Sequence, residues 1–303
     1  MSDIIKSYKG FDKDLCCCGF QYEVGKEYEI EGEIECCRRG FHACESPLEV
    51  FDHYDMLTSR FCEVEQSGEI DRGDEVESTK VCSSKIKVKA ELKLADLINI
   101  GVEWLKKVTL RNKIKDADIN SSGNYAKIGS SGNYAKIGSS GNSAQIGSSG
   151  NSAQIGSSGV SAKIGSSGNS AKIGSSGDYA KIGSSGNSAQ IGSSGNSAQI
   201  GSSGNYAKIG SSGNFAKIGS SGEDSVIMCA GLGSVVKAKV GSWITLAEWE
   251  YNKDKGRRVP TCVKTEFVDG ERIKGDTWYK LEDGEFKEVE ERQRAERQHQ
   301  TEQ

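Results

Sequence analysis

About a third of this chain is one nonapeptide written over and over. Residues 121–219 are eleven consecutive copies of S-S-G-x-x-A-x-I-G, with no insertion between Ile128 and Ile218. A degenerate unit carries the phase outward at each end. Ala117 and Ile119 fall nine residues before Ala126 and Ile128, and Ile227 falls nine after Ile218. A fixed period of this kind means a stack of like units, none of which buries its apolar face alone. A helix is excluded, because two glycines in every nine residues would cost about 1 kcal/mol each. Within a unit the order Asn/Asp, Tyr/Ser/Phe, Ala, Lys/Gln, Ile alternates with period two, which is a strand signal. It places Ala and Ile on one side and Tyr/Ser and Lys/Gln on the other. Gly-Ser-Ser-Gly then reads as the turn.

A strand and a turn every nine residues build a parallel β-solenoid. Two units per 18-residue coil are expected, with three units per coil as the competing packing. Five or six coils make a rod on the order of 25–30 Å long. Its core is thin, Ala and Ile only, and like residues stack into ladders, including Asn on Asn at Asn124, Asn133 and Asn142. Both ends need caps. The fold class is therefore mainly β, a parallel β-solenoid between an α+β N-terminal domain and a small β-rich C-terminal cap. The expected boundaries are 1–110 for the N-terminal domain, 111–227 for the solenoid, 228–286 for the cap and 287–303 for a charged tail.

Composition narrows the class further. With 38 Gly but only 2 Pro, the chain is no collagen. No run of about 18 apolar residues exists to span a membrane as a helix. The N-terminus lacks the apolar core of a secretory signal, so the ten cysteines are expected as thiols or metal ligands in a cytoplasmic protein. Calcium is not expected, because the calcium-binding nonapeptide needs an acid where this repeat has Tyr or Ser, and Asp178 is the one acid in the block.

The outward positions carry the candidate binding residues. Tyr125, Tyr134, Tyr179, Tyr206 and Phe215 fill the first, with Ser elsewhere. Lys127, Lys136, Lys163, Lys172, Lys181, Lys208 and Lys217 fill the second, with Gln in four units. Seven Lys against one Asp give the block +6. Residues 1–120 carry −7 and residues 223–303 carry −3, so −7 + 6 − 3 returns the net −4. Aromatics interleaved with Lys are able to stack on and neutralise a nucleic acid. The plainer reading is a solvated face on which Lys deters edge pairing.

Residues 1–110 have ordinary complexity. Strand-like runs stand at Gly19–Tyr22, Lys26–Ile30, Phe61–Glu65 and Ser84–Glu91. Ser46-Pro47-Leu48-Glu49 has the form of a capping box opening a helix through Val50, Phe51 and Tyr54. A second helix, roughly Ala95–Lys107, gathers Leu97, Ile98, Val102 and Leu105 on one stripe and is expected to cap the rod. Cys17, Cys37, His42 and Cys44 form a candidate zinc set of three thiolates and an imidazole, against the alternative of plain thiols. No nucleophile–base–acid triad emerges, and His42 and His53 are the two plausible general bases. The phosphate-loop, dinucleotide and H-E-x-x-H motifs are missing. Toward the C-terminus, Trp243, Ile244, Leu246 and Trp249 are bulky enough to close a thin core. Lys253-Asp254-Lys255-Gly256 reads as a hairpin turn, and Trp278-Tyr279-Lys280-Leu281 as a late strand before Glu282-Asp283-Gly284.

Several strings are specific. Tyr8-Lys9-Gly10-Phe11-Asp12, Gly19-Phe20-Gln21-Tyr22-Glu23-Val24-Gly25 and Gly40-Phe41-His42-Ala43-Cys44, then Pro47-Leu48 and Val50-Phe51, resemble the N-terminal domain of a family of uncharacterised phage and prophage proteins. Members carry nonapeptide repeats and end in a segment similar to Gly275-Asp276-Thr277-Trp278-Tyr279-Lys280-Leu281. The resemblance implies phage or mobile-element origin and brings no activity or catalytic residue. The G-F-H-A-C-x-x-P-L element also resembles the strand-then-helix step of ADP-ribosyltransferase-type folds. The expected function is a non-enzymatic binding or scaffold protein whose end domains engage a host protein, including a defence system. The alternatives are nucleic-acid binding along the Lys/Tyr face and an NAD-dependent enzyme in the N-terminal domain. No cofactor beyond the candidate zinc is expected, no membrane partner is expected, and self-association is open.

Overall fold

A computed structural model describes residues 4–73, 78–109 and 119–289. The repeat winds as a parallel β-solenoid of about seven turns over residues 119–246. Two units make one coil, because strands pair in register eighteen residues apart: Lys136 with Gln154, Ile137 with Ile155, Ser139 with Ser157. Alternate units therefore fall on two opposed sheets. One contains strands Lys136–Ser139, Gln154–Ser157, Lys172–Ser175, Gln190–Ser193 and Lys208–Ser211. The other contains Lys127–Ser130, Gln145–Ser148, Lys163–Ser166, Lys181–Ser184, Gln199–Ser202 and Lys217–Ser220.

The strand lies later in the unit than the alternation suggests. It is Lys/Gln-Ile-Gly-Ser, so glycine is a strand residue and the turn is Ser-Gly-Asn-Tyr/Ser. The Tyr/Ser position sits at the corner in the left-handed region, with φ of 57° at Tyr125 and 56° at Ser170. Ile and Ala point inward and are almost wholly buried. The Ser that ends each strand points inward too: the hydroxyls of Ser148, Ser166 and Ser184 are buried without a hydrogen-bond partner. The core is thus Ile, Ala and Ser, not Ile and Ala alone. The corners stack by backbone and by an Asn ladder, in which each Asn Oδ1 accepts the N–H of the residue one coil on, as from Asn142 to Asn124 at 2.9 Å. This stacking makes the turn glycine obligatory. A Cβ on Gly159 would stand 2.0 Å from the carbonyl oxygen of Gly141.

The N-terminal domain comprises Ile5–Phe11 (β1), Cys16–Cys17 (β2), Phe20–Gln21 (β3), Glu27–Glu29 (β4), Phe41–Cys44 (β5), Val50–His53 (α1), Arg60–Asp71 (β6), Lys80–Leu92 (β7) and Leu94–Thr109 (α2). β5, β1 and β6 run side by side, and β7 pairs with both β5 and β6, so the sheet closes on itself; β4 adds outside β7. The four strand-like runs coincide with β3, β4, β6 and β7.

Both helices differ from expectation. α1 is one turn, and its start at Glu49 has no side-chain cap. Ser46 and Glu49 are buried and used elsewhere: Glu49 accepts from Ser78 Oγ, Thr79 N–H and Thr79 Oγ1, and Ser46 Oγ donates to Gln145 of the rod. α2 buries the expected stripe, with Gly101 added. It does not close the rod's end but lies along its flank, packing successively on the strands that begin at Lys127, Gln145, Lys163 and Lys181. The fit is dimensional. Sixteen residues of helix span about 24 Å, which is five coils at about 4.8 Å each.

At the other end both sheets continue past the repeat. Val226–Cys229 and Val235–Lys237 add parallel strands, Trp243–Asn252 adds another and folds back antiparallel on Arg257–Phe267, and Tyr279–Glu282 with Glu285–Glu288 close the second sheet. Asp283 and Gly284 both have positive φ, as the two-residue hairpin turn requires. Ile244 and Leu246 fill the core, whereas Trp243 points out and is exposed. The final strand takes residues 287 and 288 from the expected tail, and residues 290–303 lie outside the described residues. The expected start of the solenoid at residue 111 and the outward unit at Ala117 also lie outside them.

Candidate functional site

The sequence expectation of one outer surface resolves into two broad faces and two narrow edges. Tyr125, Tyr179 and Phe215 stand on one edge and Tyr134 and Tyr206 on the other, each at a corner. Lys127, Lys163, Lys181 and Lys217 lie on one broad face, and Lys136, Lys172 and Lys208 on the opposite one. No single surface joins the aromatics with the lysines, because the corner conformation turns the Tyr position away from the strand.

The first face is covered by the N-terminal domain, in two strips. Segment 46–57 takes the Lys/Gln row. Asp52 pairs with Lys163 at 2.6 Å and with Lys181 at 3.7 Å, and Asp55 pairs with Lys217 at 3.2 Å. Gln145 takes Ser46, and Gln199 accepts from Met56 N–H. Lys127 lies 5.7 Å from the Trp104 ring. Lys163 is thereby 2% exposed despite its charge. Burial pushes the Lys181 ammonium down, against the raising pull of Asp52, while Lys217 and the Leu57 N–H hold the Asp55 carboxyl below its ordinary range against its own burial.

Helix α2 takes the glycine row beside it. A Cβ on Gly129 would stand 2.7 Å from the backbone nitrogen of Lys106, and one on Gly183 would stand 2.3 Å from Ile98 Cδ1. At the first residue of the helix, Gly201 faces Leu94, with Leu57 and Met56 beside it, and beyond the helix Gly219 faces Leu57 and Trp278. The strand glycines of this face exist because a helix lies on them.

The opposite face has the same wording and no cover among the described residues. Lys136, Gln154, Lys172, Gln190 and Lys208 form the row, all exposed, with no carboxylate partner among the described residues. Beside them runs a trough of about 800 Å³ floored by Gly138, Gly156, Gly174 and Gly192. A Cβ on Gly156, Gly174, Gly192 or Gly210 would meet nothing within 4 Å. These glycines have no steric or left-handed requirement, yet each weakens its strand by about 0.5–1 kcal/mol relative to Ala. The trough runs onto an apolar shelf: Val226, Met228, Trp243 and Phe267 are 41%, 54%, 48% and 39% exposed, and the last two rings lie 5.1 Å apart. Sequence reasoning missed this shelf, because Trp243 read as core.

The candidate metal residues do not converge, and among the described residues no three His, Cys, Asp or Glu side chains gather as a metal needs. Cys44 is buried among Tyr8, Leu48 and Phe51. His42 Nε2 accepts the Cys37 N–H at 2.8 Å, and Cys37 Sγ accepts from Lys80 at 3.0 Å. Burial, with Lys80 and Lys9 nearby, pushes His42 down to about 4. Cys17 lies apart from these. Its sulfur is 3.8 Å from Cys18 Sγ, 3.4 Å from the buried Lys9 ammonium and 3.2 Å from Tyr54 Oη. The hydrogen bond with Cys18, together with Lys9 and Tyr54, brings Cys17 down to about 5 despite its burial. None of the ten cysteines is in a disulfide.

Residues 5–100 match a domain of unknown function, DUF7666. No curated protein and no solved structure matches the chain. The match begins at β1 and ends inside α2, so it takes in the acids of segment 46–57 that cover the rod and stops short of the repeat and of the open face.

Proposed function

We propose that this is a non-enzymatic binding and scaffold protein whose solenoid offers its open face to a protein partner. The observation that carries the reading is the glycine row Gly156, Gly174, Gly192 and Gly210. On the covered face the same row is filled by a helix, and on the open face no described residue fills it. The N-terminal domain then acts as a permanent ligand for one side, and the rod sets the distance to whatever the C-terminal sheets present. The resemblance to phage and prophage proteins makes a host protein, including a defence component, the expected target.

The test is affinity capture from host extract with the full chain, wild type against a variant with Gly156, Gly174 and Gly192 changed to Val. Valine suits a strand, so the variant folds while its trough is filled. A protein held by the wild type and lost by the variant supports the reading. Capture that ignores the variant, or NAD or nucleotide turnover by the purified protein that disappears in His42→Gln, overturns it. The second reading, nucleic-acid binding, is favoured by the row of Lys136, Lys172 and Lys208. It predicts capture of nucleic acid that falls steeply with salt.

A further inference from the structure

We infer that the open face binds an acidic amphipathic helix of a partner protein, one that copies the surface the N-terminal domain lays on the covered face. This rests on the scaffold reading above and adds the chemistry of the partner. The covered face serves as a worked complex between the repeat and a ligand. There the glycine row receives the aliphatic stripe of α2, at Leu94, Ile98, Val102 and Leu105. The Lys/Gln row receives carboxylates from Asp52 and Asp55, and Glu49 reaches the same row beside Gln145.

The open face repeats both rows in the same register, so it asks for the same two features in one ligand. Lys136, Lys172 and Lys208 recur every second coil, about 9.5 Å apart. Residues seven apart on a helix rise about 10.5 Å, so acids at i, i+7 and i+14 follow the lysines along one flank. The glycine floor lets an aliphatic stripe at i, i+3/i+4 and i+7 approach the sheet backbone. The shelf at Val226, Met228, Trp243 and Phe267 takes a large apolar residue at one end of that helix. A polyanion such as nucleic acid would use the lysines, and its bases could stack on Trp243 and Phe267, but it has no use for the glycine floor.

The test uses a fluorescent 21-residue synthetic helix with a Leu stripe, Glu at i, i+7 and i+14 and a terminal Phe, titrated against the full chain and read by anisotropy. Binding in the micromolar range is expected. It should weaken at least tenfold in the Gly156, Gly174 and Gly192→Val variant, whose thermal midpoint equals or exceeds wild type. It should weaken several-fold when Lys136, Lys172 and Lys208 become Gln, and when Glu in the peptide becomes Lys. Tyr134→Ser, on the edge, should leave it unchanged. Four results overturn the proposal: no binding of the acidic helix; equal binding of the acidic and Lys-swapped helices; unchanged binding by the Val variant; or tighter binding of a single-stranded oligonucleotide of equal charge. A dimer seen by light scattering and lost in the Val variant overturns it as well, in favour of a second copy. If the helix fails while the Val variant still loses its captured protein, the partner class is wrong and the scaffold reading stands. If both fail, the scaffold reading falls.

Discussion

Replacing Asp52 with Ala removes the carboxylate that holds Lys163 beneath the N-terminal domain. The Lys163 side chain is 3% exposed and its ammonium is 2.6 Å from Asp52, whose own side chain is 35% exposed. Removing one partner of a buried pair costs about 3–5 kcal/mol, because the charge left behind is desolvated and uncompensated. Water at the half-open Asp52 end lowers this to about 3 kcal/mol for Asp52→Ala. The reverse deletion is milder. In Lys163→Met the carboxylate keeps water and Lys181 at 3.7 Å, and the apolar chain suits a buried site, so the cost is about 1 kcal/mol or less. The double variant should fall between, with a coupling of about 2 kcal/mol. Lys172→Met, with the same repeat wording on the open face, should stay within about 0.5 kcal/mol of wild type. Urea unfolding followed by tryptophan fluorescence reads all four. Equal losses for Asp52→Ala and Lys163→Met, or a loss at Lys172 matching that at Lys163, would refute the reasoning.

Four further outcomes follow from the local surroundings of single residues. Gly129→Ala drives a Cβ to 2.7 Å from the backbone of α2 and should cost about 1–3 kcal/mol. Gly174→Ala, with nothing within 4 Å, should gain about 0.5–1 kcal/mol, a difference visible in calorimetric midpoints. Ser166→Ala removes a buried, unpartnered hydroxyl and should raise stability by about 1 kcal/mol; in the matching inner column of the opposite sheet, Cys229 already stands in register with Ser211. For Cys17, alkylation by iodoacetamide should follow a titration near pH 5 while ordinary thiols titrate near 9.0. The sign is that of a lowered acid: its thiolate contributes stability that is full above about pH 9 and is lost as pH falls toward 5. Peptide mass spectrometry across pH 4–9 checks this, and a Cys17 midpoint above 8 would contradict it.

Much of the rod is readable in the letters, because a period of nine with one Ile and one Ala per unit leaves few ways to bury them. The coil of two units is less so, since three units per coil would bury the same Ile and Ala, and the eighteen-residue register decides it. The strand's position inside the unit is also less so. Alternation runs straight through Asn-Tyr-Ala-Lys-Ile, and only the left-handed corner at Tyr125 and its equivalents shows that the strand starts at Lys/Gln. The inward Ser was hidden by its polarity. Ser46 and Glu49 spell a capping box, but a buried rod surface competes for them and wins, since Gln145 and Thr79 offer partners the helix end does not. The division of identical repeats into a covered and an open face is invisible in sequence, because Lys163 and Lys172 sit in the same words. What separates them is parity, and parity acquires meaning only once the N-terminal domain has chosen a side.

That choice can be read directly by amine footprinting with an acetylating reagent and peptide mass spectrometry. Lys136, Lys172 and Lys208 should modify at the rate of exposed lysines. Lys163, Lys181 and Lys217, with side chains 3%, 17% and 23% exposed and each held by a carboxylate, should modify far more slowly, Lys163 slowest. Uniform rates across the seven repeat lysines, or protection on the Lys136, Lys172 and Lys208 face of the isolated protein, would contradict a rod with one side covered and one side open.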